Sequence, residues 1–237
     1  MTSSSPETRS RLADLAAVGV ALALVIVLGG IAFRRVSDRW ESRRIQVSSQ
    51  DDGAAASAPG LVDDVALVGD SITEQADATF HAVLEPAYRV RVRGRGGYRI
   101  EEMEPYAIET ATAKPEQVII NLGTNDVLDN WPVDKSVTAL NRMIKDFSGT
   151  NCLHLVTINE SLFNENVPGL SGRAALFNLQ LRSIATSQGI DVIDWAAAVK
   201  ADAELHPGDP ITSDTVHPTE RGHKVLAELY KKSLDAC

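Results

Sequence analysis

Short apolar runs alternate with stretches of helical periodicity from residue 65 to the end of the 237-residue chain. The first run, residues 65–68, ends at Gly69, and the most apolar run is residues 117–122. Both runs have the length of buried strands, and a stretch with helical spacing follows each of them. This alternation constrains the fold more than any other feature, because it predicts a parallel sheet covered by helices on both faces.

The predicted elements comprise five strands and five helices. The strands are residues 65–68, 89–92, 117–122, 153–158 and 191–193. The helices are residues 74–84, 101–111, 133–147, 174–188 and 219–234. Alternating charge in the second strand indicates a position nearer the edge of the sheet.

The N-terminal part of the chain has a different character. An uncharged run of 19 residues, 15–33, is long enough at 1.5 Å per residue to cross the hydrocarbon core of a bilayer. It exceeds the apolar region of a cleaved signal peptide, and no small-residue cleavage site closes it. We therefore predict a tail over residues 1–14, one transmembrane helix, a juxtamembrane segment and flexible linker over residues 34–60, and a folded domain over residues 61–237.

Charge is distributed unevenly along the chain. Up to Arg44 there are 7 Lys and Arg residues against 4 Asp and Glu residues, which leaves 16 of the 23 basic and 28 of the 32 acidic residues for the remainder. An acidic body argues against nucleic acid as the main partner, because phosphate binding needs a basic face. Neutral esters and acylated sugars are compatible with this charge.

Two signals disagree about the orientation of the predicted span. Two arginines precede it and five follow it, so the positive-inside rule taken literally places the body in the cytoplasm. Cys152 and Cys237 indicate the opposite if they form a disulfide, because disulfides persist in oxidising compartments; two free thiols are the alternative. Large domains translocate despite flanking charge, so we expect an extracytoplasmic domain.

A serine, a glycine and an asparagine follow the ends of three consecutive predicted strands. They are Ser71, Gly97 and Asn125, and ligands in open α/β sheets bind at that edge. Ser71 precedes a helical pattern, where free backbone N–H groups stabilise an oxyanion; a helix-capping serine is the alternative. Residue 73 is Thr rather than Gly, which disfavours the Gly-x-Ser-x-Gly turn of α/β-hydrolases.

The surroundings of His217 distinguish it from the other four histidines. It follows Asp214 by three residues and precedes a proline. On a loop, this spacing lets the carboxylate reach Nδ1–H and leaves Nε2 facing Ser71. His206 also precedes a proline but lacks an acid three residues upstream. The remaining histidines lie in predicted helices or strands: His81, His154 and His223.

Two further interpretations concern the segment Gly123-Thr124-Asn125-Asp126. The Asn125 amide can donate to an oxyanion at any pH, although the same four residues are also typical of an ordinary turn. Asp70, Asp126, Asp214 and His217 could instead be metal ligands. Dinuclear phosphoesterases usually place several histidines at their strand ends, whereas here only His217 is well placed, so we favour a mechanism without metal.

These segments resemble the blocks of the SGNH hydrolase superfamily, also called GDSL-type esterases and lipases. Gly69-Asp70-Ser71 matches the first block, Gly123-Thr124-Asn125-Asp126 the third, and Asp214-x-x-His217-Pro218 the fifth. The second block contributes a glycine, for which spacing favours Gly97 over the adjacent Gly96. The resemblance covers essentially all of residues 61–237 and leaves out the predicted span and linker.

The resemblance implies a flavodoxin-like three-layer α/β/α fold with a mainly parallel sheet and no cofactor. It implies Ser71 as the nucleophile, His217 as the base and then the acid, and Asp214 as the group that orients His217. The oxyanion would be held by the N–H groups of Ser71 and Gly97 and by the side chain of Asn125.

The expected activity is hydrolysis of short-chain esters or acylated cell-envelope glycans through an acyl-serine intermediate. An O-acyltransferase and a non-enzymatic membrane-tethered binding module are the alternatives. The segments 123–125 and 193–195 also resemble SGNH domains attached to envelope-polysaccharide acyltransferases. Loops over residues 126–133 and 161–170 are expected to line the site, with Trp131 and Phe163 as substrate contacts or as loop anchors.

Overall fold

The computed structural model describes residues 63–85 and 87–237, in which five strands form one sheet. All neighbouring strands are parallel, and the order β2-β1-β3-β4-β5 is that of flavodoxin-like sheets. The strands are β1 (Asp63–Gly69), β2 (Tyr88–Gly94), β3 (Gln117–Asn121), β4 (Cys152–Val156) and β5 (Asp191–Ile193). The predicted parallel sheet is confirmed, and β2 lies at its edge.

The same residues contain eight helices. They are α1 (Ser71–Gln75), α2 (Asp77–Leu84), α3 (Ile100–Thr112), α4 (Thr124–Leu128), α5 (Val133–Asp146), α6 (Leu170–Gln188), α7 (Trp195–Leu205) and α8 (Glu220–Asp235). The single helix predicted over residues 74–84 is two helices that meet at Ala76, and α4 and α7 were not predicted. Asp194, whose side chain accepts the N–H of Ala197 at the start of α7, is the capping signal that could have revealed that helix.

Helices cover both faces of the sheet. Alternate side chains of each strand point to opposite faces, so neighbouring strand residues enter different cores. Ala66 and Val118 pack with α3, α5 and α6 on one face. Leu67 and Ile119 pack with α1, α2, α7 and α8 on the other face. The domain is therefore a three-layer sandwich.

The parallel arrangement brings the carboxyl ends of the strands to one edge. There Gly69 pairs with Gly94 of β2 and with Asn121 of β3. A Cβ on Gly69 would lie 1.9 Å from Thr73 Oγ1 and 2.9 Å from the backbone oxygen of Asn121, so only glycine fits. This close approach lets the chain turn directly from β1 into α1.

Cys152 and Cys237 form a disulfide, with their Cα atoms 6.2 Å apart. Of the two alternatives left open by the sequence, the disulfide is therefore the one found in the structure. It joins the first residue of β4 to the residue that ends the chain after α8.

No helix within residues 63–85 and 87–237 combines the length and hydropathy needed to cross a membrane. The predicted span over residues 15–33 and the linker that follows it lie outside the described residues. The predicted span and its orientation therefore stay predictions.

Candidate active site

Ser71 is the first residue of α1, immediately after the turn that follows β1. Asp70 caps this helix, because its Oδ1 accepts the backbone N–H of Ile72 at 3.0 Å. The interpretation of Ser71 as the capping residue is therefore wrong. The N–H of Ser71 has no intrahelical acceptor, since the first N–H groups of a helix lack one.

Two hydrogen bonds connect Ser71, His217 and Asp214 in series. Ser71 Oγ lies 3.0 Å from His217 Nε2, and His217 Nδ1 lies 2.8 Å from Asp214 Oδ2. An ionised carboxylate can only accept, so Nδ1 carries the ring proton and Nε2 accepts from the serine hydroxyl. The structure brings together the three residues that the sequence singled out, with the expected ring nitrogen facing Ser71.

The Asp214 carboxylate is held in the ionised form. Burial alone would raise its pKa, but hydrogen bonds from the His217 ring and from the backbone N–H groups of His217 and Val216 keep the pKa below its usual value. Those N–H groups donate to Oδ1 at 2.7 and 3.0 Å, which leaves Oδ2 for the ring. The carboxylate is thus fixed both in charge and in orientation.

The loop that carries Asp214 and His217 folds back on itself. Thr212 and Pro218 form an antiparallel bridge, and the N–H of Ser213 donates to the carbonyl of His217 at 2.8 Å. Thr215, at the tip, has the left-handed φ of 64°. Its carbonyl accepts from Asn159 Nδ2 at 2.7 Å, so the tip is anchored to the chain after β4.

Hydrogen-bond donors for an oxyanion follow the two neighbouring strands, in the loop after β2 and in α4. Gly97 has a φ of 78°, and its N–H has no acceptor among the described residues. The N–H of Gly96, in contrast, donates to Glu74 Oε2 at 2.9 Å. Asn125 Nδ2 donates one hydrogen to the carbonyl of Tyr98 at 3.0 Å, which leaves its second hydrogen for a ligand. This geometry favours Gly97 over Gly96 as a donor.

Two further carboxyl groups are buried, each next to a site residue in the chain: Asp70 beside Ser71 and Asp126 beside Asn125. Burial raises the pKa of Asp70 to about 7, against the opposing effects of the Ile72 N–H and of nearby His217. Burial also raises the pKa of Asp126, whose Oδ2 accepts the N–H of Ile100 at 3.0 Å. Asp126 therefore connects α4 to the start of α3. Within the described part of the chain, no three His, Cys, Asp or Glu side chains gather where they could hold a metal ion.

Three of the other four histidines bond to carboxylates elsewhere in the fold. His206 Nδ1 lies 2.9 Å from Asp202 Oδ1, at the end of α7. Buried His154 bonds to the carboxylate of Asp191 at 3.0 Å. His81 Nδ1 lies 2.5 Å from the carboxylate of Glu85, and the fourth, His223, lies in α8.

The two aromatic residues expected to line the site differ in exposure. Two cations lie over the ring of Trp131, with the guanidinium carbon of Arg99 4.3 Å and Lys135 Nζ 4.9 Å from the ring centroid. Phe163 is 72% exposed, and its backbone N–H donates to Thr215 Oγ1 at 3.0 Å. Trp131 therefore anchors its loop, whereas Phe163 has an open ring face beside the loop of Asp214 and His217.

A parallel sheet with serine, histidine and aspartate hydrogen-bonded in series at its carboxyl edge is an arrangement suited to acyl transfer. Residues 67–225 match the family model of the GDSL-like lipases and acylhydrolases, and this range contains every site residue described above. The chain belongs to this family of ester hydrolases. The resemblance to the SGNH superfamily is thereby confirmed.

Solved structures share the fold at low sequence identity. A GDSL-like lipase from Bacteroides thetaiotaomicron has a TM-score of 0.66 at 18% identity, over 81% of this chain and 97% of that one. A member of the lipolytic G-D-S-L family from Veillonella parvula has a TM-score of 0.60 at 22% identity, over 73% and 99%. Axe2, an acetylxylan esterase from Geobacillus stearothermophilus, has a TM-score of 0.60 at 19% identity, over 74% and 95%. No curated protein sequence matches the chain.

Proposed function

We propose that the protein is a serine esterase that removes short acyl groups from cell-envelope glycans through an acyl-Ser71 intermediate. The observation that carries this proposal is the pair of hydrogen bonds from Ser71 through His217 to Asp214. Membership of the GDSL-like family supports ester hydrolysis. The acetylxylan esterase Axe2, which shares the fold, supports an acetylated glycan as the substrate.

The mechanism follows from the positions of the three side chains. His217 Nε2 takes the hydroxyl proton of Ser71 as Oγ attacks the ester carbonyl carbon. The oxyanion of the tetrahedral intermediate accepts hydrogen bonds from the N–H groups of Ser71 and Gly97 and from Asn125 Nδ2. His217 then gives the proton to the departing alcohol oxygen, and the acyl-Ser71 ester remains.

Deacylation repeats these steps with water as the nucleophile. His217 takes a proton from the water, and the resulting hydroxide attacks the carbonyl of acyl-Ser71. Collapse of the second intermediate returns the proton to Ser71 Oγ and releases the carboxylic acid. Asp214 stays ionised throughout and stabilises the imidazolium that forms twice in each cycle.

We also propose that the domain lies outside the cytoplasm, anchored by the predicted span over residues 15–33. The Cys152–Cys237 disulfide supports an oxidising compartment. An envelope glycan would be within reach of a domain held at that surface.

A fluorophosphonate probe tests whether Ser71 is an activated nucleophile. We expect mass spectrometry of the detergent-solubilised full chain to find the phosphonyl group on the peptide that contains Ser71, because only an activated serine attacks such a probe. The Ser71→Ala variant should gain no label, whereas Ser183→Ala, a change on exposed α6 surface, should be labelled like the unmodified chain. A folded chain without label would contradict the proposal and favour a binding module.

The products distinguish hydrolysis from acyl transfer. With an acetylated oligosaccharide as donor, we expect free acetate as the product whether or not a second oligosaccharide is added as acceptor. Acetylation of the added acceptor would identify the protein as an O-acyltransferase that uses the same acyl-enzyme.

Phe163 offers an apolar face on which a sugar ring can bind. Its neighbour Leu162 is buried, and its own N–H is bonded to Thr215, so the backbone that carries the exposed ring is held in place. Ligand sites are lined mainly by apolar and aromatic side chains around a few polar groups. We expect the ring to bind the sugar of the substrate and not its acyl group.

Replacing Phe163 by alanine should therefore discriminate between two esters. We expect kcat/KM for an acetylated xylo-oligosaccharide to fall about tenfold, mainly through KM, because about 1.4 kcal/mol of binding is lost. The value for p-nitrophenyl acetate, which lacks a sugar, should stay within about twofold. Leu205→Ala, which truncates an equally exposed side chain on α7, is the matched control. Equal losses on both esters would contradict a sugar-binding role.

A further inference from the structure

We propose that Glu74 is a positioning residue that holds the oxyanion loop, defined as residues 94–97, against the helix that carries Ser71. The inference rests on the proposed function, because it concerns how the donor Gly97 is kept in place. Glu74 lies in the five-residue helix α1, and its side chain reaches the connection between β2 and α3. It does not touch the reacting atoms in the proposed mechanism.

One contact is a hydrogen bond between a side chain and the loop backbone. Glu74 Oε2 accepts the N–H of Gly96 at 2.9 Å. A Cβ on Gly96 would lie 2.8 Å from this same oxygen and 3.8 Å from Ser71 Cβ. The Glu74 carboxylate is therefore in direct contact with Gly96, and Gly96 lies close to Ser71.

A second contact brings the two backbones together. A Cβ on Gly94 would lie 2.4 Å from the backbone nitrogen of Glu74 and 2.5 Å from its Cα, so no side chain fits between loop and helix. The N–H of Arg95 donates to the carbonyl of Gly69 at 3.0 Å. The oxyanion loop is thus attached at each of its first three residues. Gly97 comes next, and its N–H has no acceptor within the part of the chain that the structure describes.

The hydrogen bond to Gly96 holds the residue before this donor, and the hydrogen bond from Asn125 to the carbonyl of Tyr98 holds the residue after it. An oxyanion donor is effective only when it is oriented before the reaction, and complete loss of one donor costs roughly 10²- to 10³-fold in kcat. Gly97 has a left-handed φ of 78°, and glycine at such a position is free to adopt other conformations. Without the bond to Glu74, we expect the loop to sample orientations in which the Gly97 N–H no longer faces the oxyanion.

The sequence pattern around Glu74 predicts a different role for it. Ser71-x-x-Glu74 has the form of a helix capping box, in which the glutamate would bond back to the backbone of the serine. Asp70 is the cap in the structure, so the Glu74 side chain is available to the oxyanion loop. The negative charge of a carboxylate raises the energy of an oxyanion that develops near it. We therefore attribute the role of Glu74 to the hydrogen bond that its side-chain length allows, and not to its charge.

Three substitutions of Glu74 separate reach from charge. Glu74→Gln keeps the length and an accepting oxygen but removes the charge, whereas Glu74→Asp keeps the charge and is one methylene shorter. For p-nitrophenyl acetate and the full chain, we expect Glu74→Ala and Glu74→Asp to lower kcat about 10- to 30-fold with KM within about twofold. Glu74→Gln should keep at least about half of kcat. Glu101→Ala, an exposed acid at the start of α3, should change neither constant.

The outcomes are distinguishable from a failure of the proposed function. If the fluorophosphonate probe labels Ser71 but Glu74→Ala keeps the kcat of the unmodified chain, the positioning role is wrong and the esterase proposal stands. An active Asp variant beside a slow Gln variant would overturn it as well, since the charge would then matter. Thermal melts identify any variant that fails to fold. If Glu74→Ala does not fold, the comparison of Glu74→Gln with Glu74→Asp still tests the positioning role.

Discussion

The Ser71→Ala variant is expected to lose about 10³-fold or more in kcat/KM for p-nitrophenyl acetate while the domain stays folded. The change removes the oxygen that would attack the ester and leaves the donors around it. The start of α1 should be unaffected, because Asp70 and not Ser71 provides the cap of that helix. Steady-state hydrolysis measures the loss, and circular dichroism with a thermal melt checks the fold.

The matched control for this variant is Ser183→Ala. Ser183 lies on the exposed side of α6, so its hydroxyl takes no part in the site and its loss should leave kcat/KM unchanged. Hydrolysis by Ser71→Ala at the rate of the control would exclude Ser71 as the nucleophile, whatever the state of the fold.

Replacing Asp214 by asparagine is expected to lower kcat by about 10³- to 10⁴-fold. Asparagine keeps one oxygen, which can still accept the N–H groups of Val216 and His217, so the loop should retain its shape. The other oxygen becomes an NH₂ group that donates to His217 Nδ1. The ring proton must then move to Nε2, and Ser71 loses the acceptor of its proton.

The comparison variant for Asp214→Asn is Asp146→Asn, an exposed carboxylate at the end of α5. It makes the same change in net charge and should leave the rate unaltered. If Asp214→Asn were as active as this control, the ring of His217 would not depend on Asp214 for its tautomer. The proposed mechanism would then lose its orienting group.

The residues that the sequence could identify are those whose chemistry is decided locally. Asp214 and His217 are three residues apart on one loop before Pro218. Glu220 has the same spacing to His223 but lies with it in α8, so spacing and loop position together select one histidine from five. Ser71 and Asn125 are placed by the strands that precede them, because the carboxyl ends of parallel strands meet at one edge. Short-range patterns therefore predicted the fold class and the candidate site together.

What escaped prediction depends on contacts between distant segments. The hydrogen bond from Gly96 to Glu74 spans 22 residues, and no periodicity or spacing predicts it. Trp131 could be assigned as a loop anchor only when Arg99 and Lys135 were found on its ring. The contacts of Gly96 with Glu74 and of Arg99 with Trp131 join segments far apart in the sequence, so no local pattern predicts them.

The disulfide closes a covalent ring that contains only some of the candidate catalytic residues. Cys152 and Cys237 are 85 residues apart, and the covalent ring they close contains Asp214 and His217 but not Ser71. In the chain-entropy model, closing a loop of that length contributes about 4–5 kcal/mol to the free energy of unfolding. In that model, reduction of this one bond lowers the stability of the whole domain, because the unfolded chain regains the lost entropy. Lasting alignment of base and nucleophile would then depend on the redox state of the surroundings.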